Sequence, residues 1–120
     1  MEYFRIYLNK LKNNWEVWHD VSWTSFEIKS AILGILRKNL YPDGYLVRGE
    51  YQFVTNKGKK YSPPISIFKR IMGKPATLKL IILLDEDLKE QIENDLQVPV
   101  VIVSSQEEIF TLLDTIKQMI

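Results

Sequence analysis

The chain has 120 residues, of which 46% are hydrophobic and 26% are charged, a composition typical of one globular domain with its own core. It contains no cysteine, which excludes disulfides, thiolate metal sites and cysteine nucleophiles, and its single histidine excludes a His-rich metal site. The net charge of +1 hides an asymmetry, because residues 1–74 carry 13 basic and 6 acidic side chains whereas residues 75–120 carry 3 and 9. With no apolar run long enough to span a bilayer and no signal-peptide pattern, we expect a cytoplasmic protein with a single α/β domain over residues 1–120.

The N-terminal third predicts a β-hairpin followed by a helix. Residues 2–8 and 15–21 are rich in aromatic and β-branched side chains, which favours two strands joined by a short turn. Thr24 and Glu27 have the spacing of a capping box, which marks the start of a helix. Apolar residues follow at helical spacing, so the helix is predicted to continue to about residue 40 and to end before the next proline.

The middle of the sequence predicts a second hairpin and a second helix. Residues 44–55 favour two strands joined by a turn near residue 48, and a polar loop follows them. Pro63 and Pro64 suit the first turn of a helix, and Gly73 suits its end. The predicted helix therefore occupies the apolar stretch between these punctuating residues.

The last third alternates strand and helix. Residues 78–84 and 98–103 are short and almost wholly apolar, as expected of strands that are buried on both faces. Asp85 suits the start of a helix between them, and a second capping pattern at 104–108 precedes a final helix. This order predicts a mixed sheet with helices on both faces, an α/β three-layer domain.

The most basic part of the chain is the segment 48–74, whose only acidic residue is Glu50. Such a block faces phosphate groups in nucleic-acid-binding proteins and forms an ordinary solvated surface in others, and both interpretations stay open. We take the first six of its seven cations as candidate contacts to DNA or RNA. The seven are Arg48, Lys57, Lys59, Lys60, Lys69, Arg70 and Lys74.

Asp43, in a Pro-Asp-Gly turn, is the residue best suited to carry chemistry. Glu50 and Gln52 follow it closely in the sequence. Two carboxylates can hold Mg²⁺, which would polarise a phosphodiester and lower the pKa of an attacking water. We therefore predict Asp43 and Glu50 as catalytic metal ligands and Gln52 as a further catalytic residue, with either Gln52 or Lys57 aiding the attacking water or the transition state. The same tripeptide is also a common turn, and the predicted hairpin leaves Glu50 far along the chain from Asp43.

The order of a helix, Pro-Asp-Gly and a hairpin, followed by buried strands and helices, resembles the PD-(D/E)XK nuclease superfamily. The stretches HDV (19–21) and YPDGYLV (41–47), with a Lys-rich loop after them, are most similar to the nuclease-like domain of the replication-relaxation family of plasmid and mobile-element proteins. The resemblance covers roughly residues 15–104 and implies a restriction-endonuclease-like fold. It also implies that Asp43 is the first acidic residue and that an acid-x-Lys pattern lies on the next strand.

Two functions follow as hypotheses. The first is a nucleic-acid-associated nuclease-fold protein of a plasmid, virus or mobile element. It is either a Mg²⁺-dependent endonuclease or an inactive relative, because Glu50-x-Gln52 is a shortened and substituted match to acid-x-Lys. The second is a non-enzymatic protein-interaction module, in particular a homodimer, since aromatic residues near the N-terminus and the broad apolar surface of the last helix suit an interface.

Overall fold

The computed structural model describes residues 24–120, apart from the side chain of Gln106, and the predicted N-terminal hairpin lies outside this range. The described residues form a mixed α/β structure in which no helix is long and apolar enough to cross a membrane. The elements are α1 (Ser25–Leu40), β1 (Tyr45–Gly49), β2 (Phe53–Val54), β3 (Lys60–Tyr61), β4 (Ile65–Lys69), β5 (Thr77–Leu83), α2 (Lys89–Leu96), β6 (Val100–Ile102) and α3 (Ile109–Met119), with 3₁₀ turns at Tyr41–Asp43 and Gln106–Glu108.

The start of α1 agrees with the capping pattern in the sequence. The Glu27 backbone N–H donates to Thr24 Oγ1 at 3.1 Å, which satisfies one of the free N–H groups at the helix start. Phe26 in the first turn is 71% exposed, whereas the residues that follow at helical spacing are buried. The buried apolar side chains of α1 are Ile28, Ala31, Ile32, Leu36 and Leu40.

A four-stranded sheet with the order β1-β4-β5-β6 forms the centre of the described structure. β4 is antiparallel to both β1 and β5, and β6 runs parallel to β5 after the crossover through α2. The predicted hairpin at 44–55 is therefore wrong in its second strand. Residues 53–54 pair with residues 60–61 in a separate two-stranded sheet, and the partner of β1 is β4.

β4 occupies a segment for which the sequence predicted a helix. It is a central strand with neighbours on both sides, and Ile65, Ser66 and Ile67 are all fully buried. Its apolar side chains therefore do not alternate with exposed polar ones, and a short apolar run of this kind fits a helix or a strand equally well. Gly73 does not end a helix, because the Lys74 N–H donates to the carbonyl of Ile71 at 3.1 Å and closes a β-turn.

β5 is buried on both faces, as its apolar sequence predicted. Leu80 and Ile82 belong to a hydrophobic cluster with α1 and α3. Ile81 and Leu83, which point the other way, belong to a second cluster with α2 and the two-stranded sheet. The alternating side chains of one strand thus contribute to both clusters of the described residues.

The helices of the C-terminal part begin later than their sequence patterns suggest. Asp85 Oδ1 accepts from the Asp87 N–H at 3.0 Å and stabilises a local turn, whereas α2 begins only at Lys89. Ser104 and Ser105 both donate to the Glu108 carboxylate, ahead of the start of α3. α3 then places most of its broad apolar surface inside the domain, where Ile109, Leu112 and Ile116 are buried and Leu113 and Ile120 pack against them.

Candidate nucleic-acid interface

Asp43 is the last residue of the 3₁₀ turn between α1 and β1. Its side chain is exposed, and Gly44 after it has a φ of 87°, a left-handed conformation that lets the chain turn into β1. Lys69 Nζ donates to the Asp43 carbonyl oxygen at 2.9 Å, and the same ammonium lies 4.3 Å from the centre of the Tyr45 ring. The structure therefore brings Asp43 together with Lys69, the last residue of β4.

Glu50 lies beyond the opposite end of β1 from Asp43. β1 has 5 residues, and at roughly 3.3 Å per residue such a strand spans about 16 Å. Because Mg²⁺ holds its oxygen ligands at about 2.1 Å, the two carboxylates are too far apart to share one ion. Gln52 follows Glu50 in the exposed connection to β2, so it also lies away from Asp43.

Glu50 has a different partner from the one that the sequence suggested. Its carboxylate accepts a hydrogen bond from Lys29 Nζ of α1 at 2.7 Å. The hydrogen bond and the positive charge of this ammonium lower the pKa of Glu50 below its ordinary value. Glu50 also has a positive φ of 52°, where the backbone leaves the main sheet toward the two-stranded sheet. Glu50 thus forms a surface ion pair with Lys29 at a point where the chain changes direction sharply.

The acid-x-Lys pattern that the resemblance implies can be compared with β4, the strand that pairs with β1. Tyr45 at the start of β1 lies opposite Lys69 at the end of β4. Lys69 then takes the lysine position of the pattern, and Ile67 takes the acidic position. Ile67 is fully buried in the cluster with α1 and α3. Across residues 24–120, no three acidic or histidine side chains come together as possible metal ligands.

An aromatic cluster that sequence reasoning missed holds the two-stranded sheet against the main sheet. The ring centre of Tyr51 lies 4.9 Å from that of Phe53 and 5.2 Å from that of Phe68 of β4. These separations are in the range of favourable aromatic pairs. Tyr51 and Phe53 are two residues apart, which places both on one side of an extended segment. This spacing is the feature of the sequence that could have predicted the cluster.

The cations predicted from the sequence lie at three places on the described surface, and one of them, Arg48, is near the end of β1. We call Lys57, Lys59 and Lys60, on the turn and strand of the two-stranded sheet, the hairpin cations. Near the end of β4 lie the β4-end cations, which are the predicted Lys69 and Arg70 together with Lys74 in the turn that follows.

The positive charge of these side chains is not neutralised by close acidic partners. Among residues 24–120, no carboxylate lies within ion-pair distance of Arg48, the hairpin cations or the β4-end cations. Lys59 Nζ donates to the neutral Gln91 Oε1 at 2.8 Å. The interaction with the Tyr61 hydroxyl, and to a lesser degree the charge of Asp95, raises the pKa of Lys59 above its ordinary value.

A polar cleft lies next to the hairpin cations. It has a volume of about 240 Å³ and separates the turn of the two-stranded sheet from the end of α2. Tyr61 Oη donates to Asp95 at 2.5 Å across the same junction and connects the two elements. The cleft is lined by Thr55, Asn56, Lys57, Lys59, Asn94 and Asp95.

Comparison of the chain with protein-family models, with curated proteins and with solved structures found no match. The resemblance to the PD-(D/E)XK nuclease superfamily therefore stays a prediction. The function has to be argued from the placement of the cations, the carboxylates and the apolar side chains described above.

Proposed function

We propose that this chain is a nucleic-acid-binding protein that contacts phosphate groups through the hairpin cations, the β4-end cations and Arg48, and that it does not cleave the strand it binds. We further propose that it is a cytoplasmic protein of a plasmid, virus or mobile element with a restriction-endonuclease-like three-layer fold. The observation that carries the binding proposal is the absence, among the described residues, of any carboxylate partner for these cations.

Electrostatics support binding to a polyanion. A lysine or arginine that meets a phosphate releases condensed counterions from the nucleic acid, and this release drives much of the affinity. A cation that is already paired with a carboxylate contributes less, because its own pair must be broken first. The exposed side chains of Arg48, Lys57, Lys60 and Arg70 have no such pair to break among the described residues.

The element order supports the nuclease-like fold. A helix followed by Pro42-Asp43-Gly44 and β1, and later β5, a helix and the parallel strand β6, are parts of the order that the resemblance implies, whereas β4 replaces the helix expected before β5. α1 and α3 share one hydrophobic cluster with the sheet, and α2 shares the other. This distribution is the arrangement that a three-layer domain requires.

The positions of the carboxylates support binding without hydrolysis. A Mg²⁺-dependent nuclease needs oxygen ligands around the scissile phosphate. Asp43 precedes β1 and Glu50 follows it, so the two carboxylates lie at opposite ends of this strand, and Ile67 offers no ligand at the position beside Lys69. The residues present therefore do not fit a shared Mg²⁺ ion, and no hydrolytic role follows for Asp43, Glu50 or Gln52.

The affinity for labelled duplex DNA, single-stranded DNA and RNA is expected to fall steeply as salt is raised. Each phosphate contact contributes about −0.9 to the slope of log affinity against log salt on a duplex, so contacts from all seven cations give a slope of about −6. Fluorescence anisotropy over a salt series measures this slope. The same complexes, incubated with Mg²⁺ or Mn²⁺ and run on a denaturing gel, are expected to stay intact.

The two parts of this proposal, binding to phosphate groups and the lack of strand cleavage, can be disproved separately. Affinity that does not change with salt would remove the phosphate contacts. Metal-dependent cleavage that disappears in Asp43→Ala would instead make Asp43 a catalytic residue and overturn the proposal of binding without hydrolysis.

A protein-interaction module is the second candidate, and one feature favours it. A cleft of about 250 Å³ lies between the start of α1, Pro63-Pro64 and the segment before α2. Leu88 in this cleft is 43% exposed, and Phe26, next to the lining residue Ser25, is 71% exposed. If this surface is a homodimer interface, light scattering after size exclusion will give twice the monomer mass, and Phe26→Ser will restore the monomer. A monomer at every concentration removes the dimer.

A further inference from the structure

The turn between β4 and β5 has an apolar tip between cationic flanks. Met72 is 98% exposed and Ile71 is 42% exposed. Lys69 and Arg70 precede these two residues, and Lys74 follows them after one glycine. Single exposed apolar side chains are common on protein surfaces, but the tips of turns are usually occupied by polar residues or glycine. Two adjacent apolar side chains at a tip therefore need an explanation.

The fold itself gives no reason for a methionine at this place. Gly73, with a φ of 75°, takes the position in the turn that requires a left-handed backbone, and the Lys74 N–H closes the turn onto the Ile71 carbonyl. Met72 precedes that glycine, where almost any residue is compatible with the turn. Because its side chain is almost wholly in solvent, Met72 contributes no packing to either hydrophobic cluster.

The base of the turn is held firmly in position. The Arg70 N–H donates to the Gly44 carbonyl at 2.8 Å, which extends the contact between the two strands by one residue. Lys69 Nζ donates to the Asp43 carbonyl and lies over the Tyr45 ring. Pro75 after the turn restricts the backbone on the other side. The apolar tip is thus presented by a short, hydrogen-bonded turn on a central strand pair.

We propose that this turn is a wedge that inserts Met72 between base pairs of duplex DNA while Arg70 and Lys74 contact the phosphates on either side. Apolar wedges of this kind partly unstack one base step and kink the duplex, and flanking cations supply the affinity. This inference rests on the proposed nucleic-acid-binding function and deepens it, because it names duplex DNA and a mode of contact.

The size of the tip favours a nucleic acid over a membrane surface. Burial of Met72 and part of Ile71 would by itself give only marginal and reversible attachment to a bilayer, so a membrane would also have to engage the neighbouring cations. A wedge needs no more than one side chain, since phosphate contacts provide the remaining free energy.

Met72→Ala tests the wedge when it is compared with the wild-type chain on a duplex of about 20 base pairs that carries a dye at each end. The wild-type chain is expected to bring the dyes closer and raise energy transfer between them. Met72→Ala is expected to bind about tenfold more weakly and to leave the energy transfer at the value of free DNA. Met72→Leu, which keeps an apolar side chain, is expected to retain the kink.

Met119→Ala is the matched control, because Met119 on α3 is also exposed, at 43%, and should change neither quantity. Binding by the wild-type chain without a change in energy transfer, or an equal kink with Met72→Ala, would overturn the wedge and leave the phosphate contacts standing. Absence of any binding would overturn both proposals. Met72-dependent attachment to vesicles of anionic phospholipid, measured by flotation, would reassign the turn to a membrane surface.

Discussion

Ile67→Glu is expected to unfold the protein rather than to create a metal site beside Asp43. The substitution would place a carboxylate at the acidic position of the acid-x-Lys pattern, next to Lys69. Ile67 is fully buried in the cluster with α1 and α3, so the new charge would be removed from water without a partner. Such a change costs about 4 kcal/mol or more, which is a large part of the 5–15 kcal/mol that stabilises a typical domain.

Urea unfolding followed by circular dichroism measures this effect, with Ile71→Glu as the matched control. Ile71 lies in the turn just beyond the same strand and is 42% exposed, so the same change of side chain should alter the free energy of unfolding little. A folded Ile67→Glu protein that cleaves DNA with Mg²⁺ would show that this position can face a substrate. That result would contradict both the placement of Ile67 in the core and the proposal that the present chain lacks hydrolytic activity.

The parts of the fold that follow from local chemistry could be read from the sequence. The Thr24 and Glu27 pattern gave the start of α1 because a helix cap needs only residues within one turn. The apolar run of β5 indicated a strand covered on both faces because no polar residue interrupts its buried part. In both cases the signal and the structure lie within a few residues of each other.

The pairing of the strands could not be read in the same way. Tyr45 and Lys69 are direct neighbours across the sheet, but the two-stranded sheet and its loops lie between them in sequence. The segment that forms β4 has Pro63 and Pro64 before it and Gly73 after it, which is also the punctuation of a helix. Its β-branched Ile65 and Ile67 were the opposing signal for a strand, and tertiary burial decided between the two.

The prediction of a helix in place of β4 also shaped the prediction of the candidate site. If residues 65–72 form a helix, the nearest extended stretch that can pair with β1 is the one that follows it, and the polar residues that lead into that stretch are Glu50 and Gln52. Once β4 is the partner, the side chain beside Asp43 is Lys69, and the acidic position falls on Ile67. The same change turns Met72 from a helical residue into the exposed tip of a turn. The assignment of residues 65–69 as a strand and not as a helix thus favours a binding surface over a hydrolytic site.

Replacement of four exposed cations by glutamine is expected to reduce the affinity for duplex DNA by about 10³-fold near 0.1 M salt and to reduce the salt slope by about 4. The four are chosen because no described side chain forms a hydrogen bond or ion pair with them, so the substitutions should leave the fold intact. Lys59 and Lys69 are kept, since their ammonium groups bond to Gln91 and to the Asp43 carbonyl. The substitutions are Lys57→Gln, Lys60→Gln, Arg70→Gln and Lys74→Gln.

We expect the loss of affinity to depend on where the replaced charges lie and not only on how many are replaced. Lys38→Gln with Lys117→Gln serves as the control, because these exposed cations lie on α1 and α3, outside the segment 48–74, and neither has a carboxylate partner among the described residues. If the control variant weakens binding as much per charge as the four-glutamine variant, attraction to DNA is a diffuse effect of net charge. If the four-glutamine variant alone lowers the slope, the hairpin cations and the β4-end cations form the surface that meets the phosphates. Variants of each pair, Lys57 with Lys60 and Arg70 with Lys74, then measure how much of the slope belongs to each part of that surface.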